Sequence, residues 1–507
     1  MTVSDDYVFH SPEALGAFAA SLSLFARPGM AILLKGDLGS GKSTLARALI
    51  RALAPGAPDF DIPSPTFTLL QTYNETRIPV AHADLYRVTA NAEVDELGLD
   101  ELLRSHLLLV EWPERVMDRP WPDLLLIELG GHGQSRTAQV TAHGAWAQAL
   151  RRDREITGFL ARTPWRPARR TFFEGDASFR RYETLALENQ TAILMDMPAR
   201  PDGPPVRHGK PYSAIAHLAE NIGAVVAVNA ELVARGYSAP RTLSYDRAEG
   251  LAVVEDLGRA VFGRMRLDGI DMREPMAAAV AVLADMAGRD WPAQVTMADG
   301  FSYQLSAYDL EAQLIEIGLL PSWLWPHVHG RAIPDALQQE FTAVWTALLP
   351  MTHPARPVWA LRDFHSPNLL WLPGREGIRC VGIIDTQDSL MGHPAYDLAS
   401  LLQDARVDIP FAEADELFEL YCSRREAQGG FERKTFETAY ALLGAQRATK
   451  ILGIFARLSK RDGKHGYLRH LPRVSRYLER DLQHPALAPL KAWFDRHLPA
   501  PVREAGR

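Results

Sequence analysis

Asp363, Asn368 and Asp385 have the residue types and spacing to manage a phosphoryl group. They fall in Leu361-Arg362-Asp363-Phe364-His365-Ser366-Pro367-Asn368 and in Val381-Gly382-Ile383-Ile384-Asp385. A carboxylate can take the proton of an attacking hydroxyl, while an amide and a second carboxylate hold Mg2+ against nucleotide phosphates. A separate set lies far upstream, where Gly36-Asp37-Leu38-Gly39-Ser40-Gly41-Lys42-Ser43-Thr44 satisfies G-x4-G-K-[ST]. Gly36, Gly39 and Gly41 let backbone N–H groups curl around phosphate oxygens. Lys42 would reach the β/γ-phosphates, Ser43 would bind Mg2+, and Thr44 completes the nucleotide-binding set.

These residues need elements to position them. Two apolar runs, Leu369 to Leu372 and Val381 to Ile384, flank a Pro373-Gly374 turn. That pattern predicts a hairpin that gathers Asp363, Asn368 and Asp385 at one end. Upstream, Met30 to Leu34 predicts a buried strand before the glycine-rich loop, and Leu45 to Leu53 a helix after it whose positive end faces the anion. Ser11-Pro12-Glu13 opens an earlier helix with a cap, a first-turn proline and a favourable acid. Predicted strands Ile78 to Ala83 and Leu107 to Val110 end at Asp84 and Glu111, and Leu124 to Leu129 with Arg136 to Thr141 close that unit around a Gly130-Gly131-His132-Gly133 turn. A basic, Ala-rich shift over 143–152 marks the junction, followed by a short helix from Arg154 to Arg162 that Thr163-Pro164-Trp165-Arg166-Pro167 breaks. Further strands are predicted at Tyr182 to Leu187, Thr191 to Asp196 and Leu251 to Val254, and helices at Met276 to Met286 and through 410–497.

A chain of 507 residues is too long for one core and predicts two or three domains. Net charge of −7 argues against coating nucleic acid by bulk electrostatics. Cys380 and Cys422 make neither a disulfide framework nor a metal motif and fit a reducing cytoplasm. The start, Met1 to Asp6, has neither the basic cluster nor the apolar run of a signal peptide, and no stretch reaches membrane-spanning length.

The upstream motifs resemble the TsaE family of bacterial ATPases, which serve the tRNA threonylcarbamoyladenosine pathway. The resemblance rests on G-D-L-G-S-G-K-S-T-L, then Ser64-Pro65-Thr66-Phe67-Thr68, His82-Ala83-Asp84-Leu85-Tyr86-Arg87, and Leu109-Val110-Glu111-Trp112-Pro113-Glu114-Arg115, over residues 10–143. It implies that Asp84 is a second Mg2+ ligand, that Glu111 positions attacking water, and that Thr66 sits on a switch-like loop sensing the γ-phosphate. It further implies docking on the pathway's transferase subunits. Trp112 reads equally as a core aromatic or a site residue.

The downstream motifs, R-D-F-H-S-P-N, I-D-T-Q-D and G-H-P-A-Y-D-L-A, resemble the aminoglycoside phosphotransferase branch of the protein-kinase-like fold. By that resemblance Asp363 is the catalytic base, Asn368 and Asp385 are the metal ligands, and Asp397 braces the catalytic loop. The family's usual His before Arg-Asp is Leu361 here, which puts loop geometry in question. Gly175 to Tyr182 and Glu255-Asp256-Leu257-Gly258 resemble the kinases of the anomeric hydroxyl of N-acetylmuramate and N-acetylglucosamine. Ser178, Arg180 and Arg181 would then lie on the loop covering the nucleotide, and the hinge at Glu255 would hold adenine through its backbone. Met195 stands where kinases carry the phosphate-pairing Lys, so either that half is weakened or Arg180 and Arg181 supply the charge. Glu316 and Trp323 lie where the acceptor sugar could be touched, or are plain packing.

The expectation is an α/β P-loop NTPase domain over 1–148, followed by a bilobal α+β protein-kinase-like domain over 149–507. Its small lobe would span about 168–258 and its large lobe about 259–500. The expected protein is cytoplasmic, uses ATP and Mg2+ at two sites, acts as accessory ATPase and as amino-sugar kinase, and meets proteins of the tRNA-modifying complex. The alternative makes the first half a nucleotide-binding docking module and the second a kinase for an aminoglycoside or amino alcohol.

Overall fold

The computed structural model describes residues 2–54, 60–131, 135–173, 180–199 and 203–504. It divides into two compact units, Met1–Asp196 and Met197–Arg507.

The first unit is built on a seven-stranded sheet. In chain order its elements are β1 (Thr2–Phe9), α1 (Pro12–Phe25), β2 (Ala31–Lys35), α2 (Lys42–Ala52), β3 (Leu70–Tyr73), β4 (Val80–Asp84), α3 (Asn91–Glu96), α4 (Leu99–Leu103), β5 (Leu107–Glu111), β6 (Leu124–Gly130), β7 (Arg136–His143) and α5 (Gly144–Leu160). The strand order is β1-β7-β6-β2-β5-β4-β3. The central strands β6, β2, β5 and β4 run parallel. Their sequences, AILLK and LLLVE among them, are apolar on both faces because both faces are covered. Phe18, Leu49, Ile50 and Trp146 pack one face, and Val94, Leu99 and Trp121 the other. Parallel strands end together, so the register that sets Asp84 beside Glu111 and Glu111 beside Leu34 delivers both carboxylates to the edge where β2 enters the glycine-rich loop.

Ser11 caps α1 as its sequence predicts, accepting from the Ala14 N–H at 3.3 Å. The expected junction at 143–152 is instead part of α5, a continuous helix of 17 residues. Gly144 is the helix's first residue rather than a linker: its φ is +58° and an added Cβ would lie 2.3 Å from the Pro122 carbonyl oxygen. Beyond α5 an antiparallel meander of β8 (Arg169–Phe173), β9 (Arg181–Leu187) and β10 (Gln190–Asp196) belongs to the first unit. Aromatic and ionic contacts fix it there. The Arg77 guanidinium lies 4.1 Å from the Phe172 ring, and that of Arg181 lies 3.6 Å from the Phe25 ring. Arg152 of α5 reaches Asp196 at 2.8 Å, and Arg170 reaches Asp153 and Glu183, each at 2.7 Å.

The second unit is largely helical. Its longest element is the helix Arg433–Asp462, whose Leu443 and Leu452 fall in two different apolar cores. One core contains Phe364, Leu361, Tyr396 and Trp359; the other contains Trp345, Trp493 and Phe341. Thr242–Asp246 pairs with Leu251–Glu255 in an antiparallel hairpin. Leu369–Trp371 pairs with Val381–Ile383, which is the hairpin expected around Pro373-Gly374. Val358–Ala360 pairs with Leu390–Gly392 and anchors the start of the Asp363 segment. Among the described residues, no helix is long and apolar enough to cross a membrane.

Candidate active sites

In the first unit, the loop between β2 and α2 depends on glycine. Gly36, with φ +141°, would place a Cβ 2.2 Å from the Leu129 carbonyl oxygen, which a side chain cannot tolerate. Gly36→Ala is therefore expected to distort the loop and abolish nucleotide binding, measured as loss of ATP-analogue affinity with the remaining fold intact by circular dichroism. Lys42 is buried, and its Nζ donates to the carbonyls of Gly36 at 2.6 Å and Asp37 at 2.9 Å. The same ammonium lies 3.7 Å from the centroid of the Trp112 ring. Burial lowers the Lys42 pKa, and Glu111 and Asp84 oppose that effect. Ser43 Oγ donates to Glu111 Oε2 at 2.7 Å, and His82 Nε2 lies 2.9 Å from Glu111 Oε1. Asp84 accepts from Thr66 Oγ1 at 2.7 Å and from the Tyr86 N–H at 3.0 Å. Lys42, Ser43, Thr66, Asp84 and Glu111 thus form one constellation, with Gly39 and Gly41 in the loop beside it and the exposed Thr44 next to Ser43 on α2. Ser43 Oγ and the Asp84 carboxylate are oxygen donors of the kind that Mg2+ takes from a protein when phosphate and water complete its shell. Trp112 lies at this constellation: its φ is +56°, it packs 4.8 Å from the Tyr86 ring, and its own ring lies against Lys42. His82, wholly buried, is a member that motif reading missed.

In the second unit, the Asp363 segment is held from below. Asp397 accepts the Leu361 and Arg362 N–H groups, at 2.6 and 2.9 Å. Burial pushes the Asp397 carboxyl up to about 7 despite those two donors. Leu361 lies in the apolar core, so an aliphatic side chain fills the space without disturbing its N–H. Arg362 is in the left-handed region at φ +67° and is fixed there by Glu316 and by donating to the Ala216 carbonyl at 3.0 Å. Asp404 takes the Ser366 N–H at 2.8 Å from the other side. The Asp363 side chain is 40% exposed, open enough to meet an acceptor hydroxyl. Burial opposes its charge, yet His365, Lys450 and Arg362 hold its pKa below the usual carboxylate value, so it is ionised at neutral pH. Asn368 Nδ2 donates to the Asp363 carbonyl at 3.1 Å and lies 3.4 Å from Asp385 Oδ2. Asp385, at φ +63°, also accepts from Gln387 Nε2 at 3.2 Å. Asn368 and Asp385 lie side by side at the hairpin end, and a carboxylate with an amide side chain is the kind of pair that suits Mg2+ bound to nucleotide phosphates.

Comparison with known proteins meets this geometry at both ends of the chain. The phosphotransferase enzyme family model matches residues 169–436, and the model for threonylcarbamoyl adenosine biosynthesis protein TsaE matches residues 9–138. An N-acetylmuramate/N-acetylglucosamine kinase of Caulobacter vibrioides is 37% identical over 362 residues, covering 69% of this chain and 98% of that protein. A namesake from Neisseria meningitidis is 32% identical, covering 64% of this chain and 88% of that protein. A tRNA threonylcarbamoyladenosine biosynthesis protein TsaE of Rickettsia conorii is 36% identical over 123 residues, covering 24% of this chain and 69% of that protein. The chain belongs to both families. It joins a TsaE half to a phosphotransferase half, and its fold is a P-loop α/β domain followed by a protein-kinase-like domain.

Several expected residues of the phosphotransferase half have other work. Glu316 is fully buried and binds Arg362, Lys450 Nζ at 2.7 Å, Gln446 Nε2 at 3.0 Å and Tyr308 Oη at 2.5 Å. It organises the site from inside and is not a sugar contact. Trp323 packs on the helical core with Trp325 and Leu324. Arg181 does not serve as a spare phosphate cation: it pairs with Glu183 at 2.9 Å and Asp196 at 3.2 Å over the Phe25 ring. Met195 is buried opposite Tyr182 in the strand register, an apolar residue where a Lys was expected. The Glu255 carboxylate is held by Arg241 and Arg375, at 3.0 and 2.9 Å, and its N–H donates to the Arg241 carbonyl. Arg180 is half-buried just before β9, while Ser178 and most of its loop lie outside the described residues. His365, 3.9 Å from Asp363 and largely buried, was not anticipated.

Proposed function

We propose that the chain is a bifunctional ATP-using enzyme with the division of labour at 148/149. Its second half transfers the ATP γ-phosphate to the anomeric hydroxyl of N-acetylmuramate or N-acetylglucosamine, as the names of its relatives suggest. Its first half is an accessory ATPase of tRNA threonylcarbamoyladenosine modification that meets the modifying complex as a protein partner. The observation that carries this reading is Asp363 set beside Asn368 and Asp385, in a segment 37% identical to a kinase of those sugars across 98% of its length. Family matches ending at 138 and resuming at 169 support the proposed division.

In the kinase half the anomeric hydroxyl is oriented by Asp363, which takes its proton as the oxygen attacks the γ-phosphorus in line. Mg2+, held by Asn368 and Asp385, would offset negative charge on the phosphates. In the TsaE half Lys42 and the loop amides would hold the β/γ-phosphates, Ser43 and Asp84 would hold the metal, and Glu111, one oxygen of which lies against His82, would orient water. Thr66, bonded to Asp84, links the metal site to its loop. The setting is a cytoplasm that recycles cell-wall sugars.

Two measurements test the halves separately. The purified chain with ATP should yield a sugar 1-phosphate from the amino sugars and nothing from a panel of aminoglycosides. Phosphate appearing on an antibiotic alone would overturn the kinase reading. Lys42→Ala removes the one buried ammonium that the loop encloses, and is expected to lower ATPase turnover of the first half by about 10²-fold or more. The same variant should fail to complement a strain lacking the tRNA-modification ATPase; full complementation would show that turnover there is dispensable.

A further inference from the structure

The helix Arg433–Asp462 presents Gln446, Lys450, Gly453 and Arg457 along one face, spaced four, three and four residues apart. Gly453 lets that face approach closely: a Cβ there would lie 2.6 Å from the Leu319 carbonyl oxygen. The first members of the stripe serve Glu316, through Gln446 Nε2 at 3.0 Å and Lys450 Nζ at 2.7 Å. Lys450 also lies 3.4 Å from Tyr396 Oη, and its charge acts on Asp363. The stripe therefore runs from the edge of the catalytic centre outwards. Arg457, the outermost of the four, lies 5.6 Å over the Tyr212 ring.

Among the described residues, Arg457 is left without a carboxylate of its own. Arg362, Lys450 and Arg457 are three cations, and both Arg362 and Lys450 are already committed to the single carboxylate of Glu316. Arg457 makes no ion pair among the described residues, and its Nε is buried without a hydrogen-bond partner. The nearby Asp462 carboxylate pairs with Arg461 at 2.7 Å. A half-buried guanidinium with an unsatisfied N–H is costly unless an anion arrives to meet it. Its planar fork matches a carboxylate. Of the two sugars named for the relatives, only N-acetylmuramate carries a carboxylate; N-acetylglucosamine is neutral.

We propose that Arg457, flanked by Tyr212, receives the carboxylate of an acidic amino sugar whose anomeric hydroxyl lies at Asp363. The inference rests on the kinase reading above and adds a residue that separates the acidic from the neutral substrate. Arg457 would bind a part of the acceptor remote from the reacting bond and leave the chemical step to Asp363.

The test uses the full chain with ATP and each sugar in turn. Arg457→Gln is expected to raise KM for N-acetylmuramate on the order of 10- to 100-fold, the worth of a charge-assisted hydrogen bond, with kcat changed by less than about threefold. KM for N-acetylglucosamine should stay within about twofold. Arg457→Lys, which keeps the charge and loses the fork, should fall between wild type and Arg457→Gln for the acidic sugar alone. Equal rises in KM for both sugars, or no change for either, would overturn the proposal. If Arg457→Gln loses both activities together with its thermal transition, Arg457→Lys decides by the same criterion. A wild-type chain that phosphorylates neither sugar would instead refute the kinase reading, an outcome distinct from failure of the Arg457 assignment.

Discussion

Asp363→Asn is expected to lower kcat for sugar phosphorylation by about 10²- to 10⁴-fold, the contribution of a positioned general base. The substitution keeps the size of the side chain and removes only its ability to take a proton. The segment around it should be unchanged, because its shape is set elsewhere. Asp397 holds the Leu361 and Arg362 N–H groups, Asp404 holds that of Ser366, and Asn368 grips the Asp363 carbonyl rather than its carboxylate. ATP affinity should accordingly move little, and the loss should fall on kcat. Steady-state kinetics with the amino sugar, beside ATP-analogue binding, checks both parts. A variant within tenfold of wild type in kcat would mean that another group takes the proton, and His365, 3.9 Å away, would be the first to examine.

Glu316→Ala is expected to destabilise the second unit by about 3–5 kcal/mol, because it strands Arg362 and Lys450 as uncompensated cations beside an apolar core. Burial alone would raise the Glu316 pKa, but Lys450 and Arg362 outweigh burial and bring it down to about 2. The sign of the pH dependence follows. A carboxyl near 2 when folded and about 4.3 when unfolded contributes stability above pH 4.3, on the order of 3 kcal/mol, which drains away as pH falls towards 2. Urea unfolding of wild type and variant should show the full gap at pH 7 and a smaller one at pH 3. A gap below about 1 kcal/mol at pH 7, or one that pH does not change, would contradict this role.

What could be read from the chain followed contiguity. The glycine-rich loop is one unbroken motif between an apolar run and a helix, and the structure places Lys42, Ser43, Asp84 and Glu111 together. Strands buried on both faces, such as Ala31–Lys35 and Leu107–Glu111, leave plain apolar runs. Thr2–Phe9 does not: it is an edge strand carrying Asp5 and Asp6, and only its pairing with Arg136–His143 reveals it. Glu316 was equally obscure. Two of its partners, Gln446 and Lys450, lie 130 and 134 residues along the chain, and a lone acid among aromatics reads as a surface or sugar contact when those partners are unseen. Arg181 misled for the same reason, since its position beside a nucleotide-loop motif says nothing of Phe25 or Asp196. The residues around 148/149 say nothing of α5 running unbroken through them, nor of Arg77 and Phe25 packing on the meander that follows.

The central claim is that one chain carries two ATP-using centres that work by different residues. Each can be disabled alone. Asp363→Asn and Lys42→Ala, each produced in the full chain, should be assayed side by side for sugar 1-phosphate by phosphorus NMR and for complementation of the missing tRNA-modification ATPase. The account predicts that Asp363→Asn loses the sugar phosphate and still complements, while Lys42→Ala does the reverse. Loss of both functions in either single variant, with the fold intact, would contradict it.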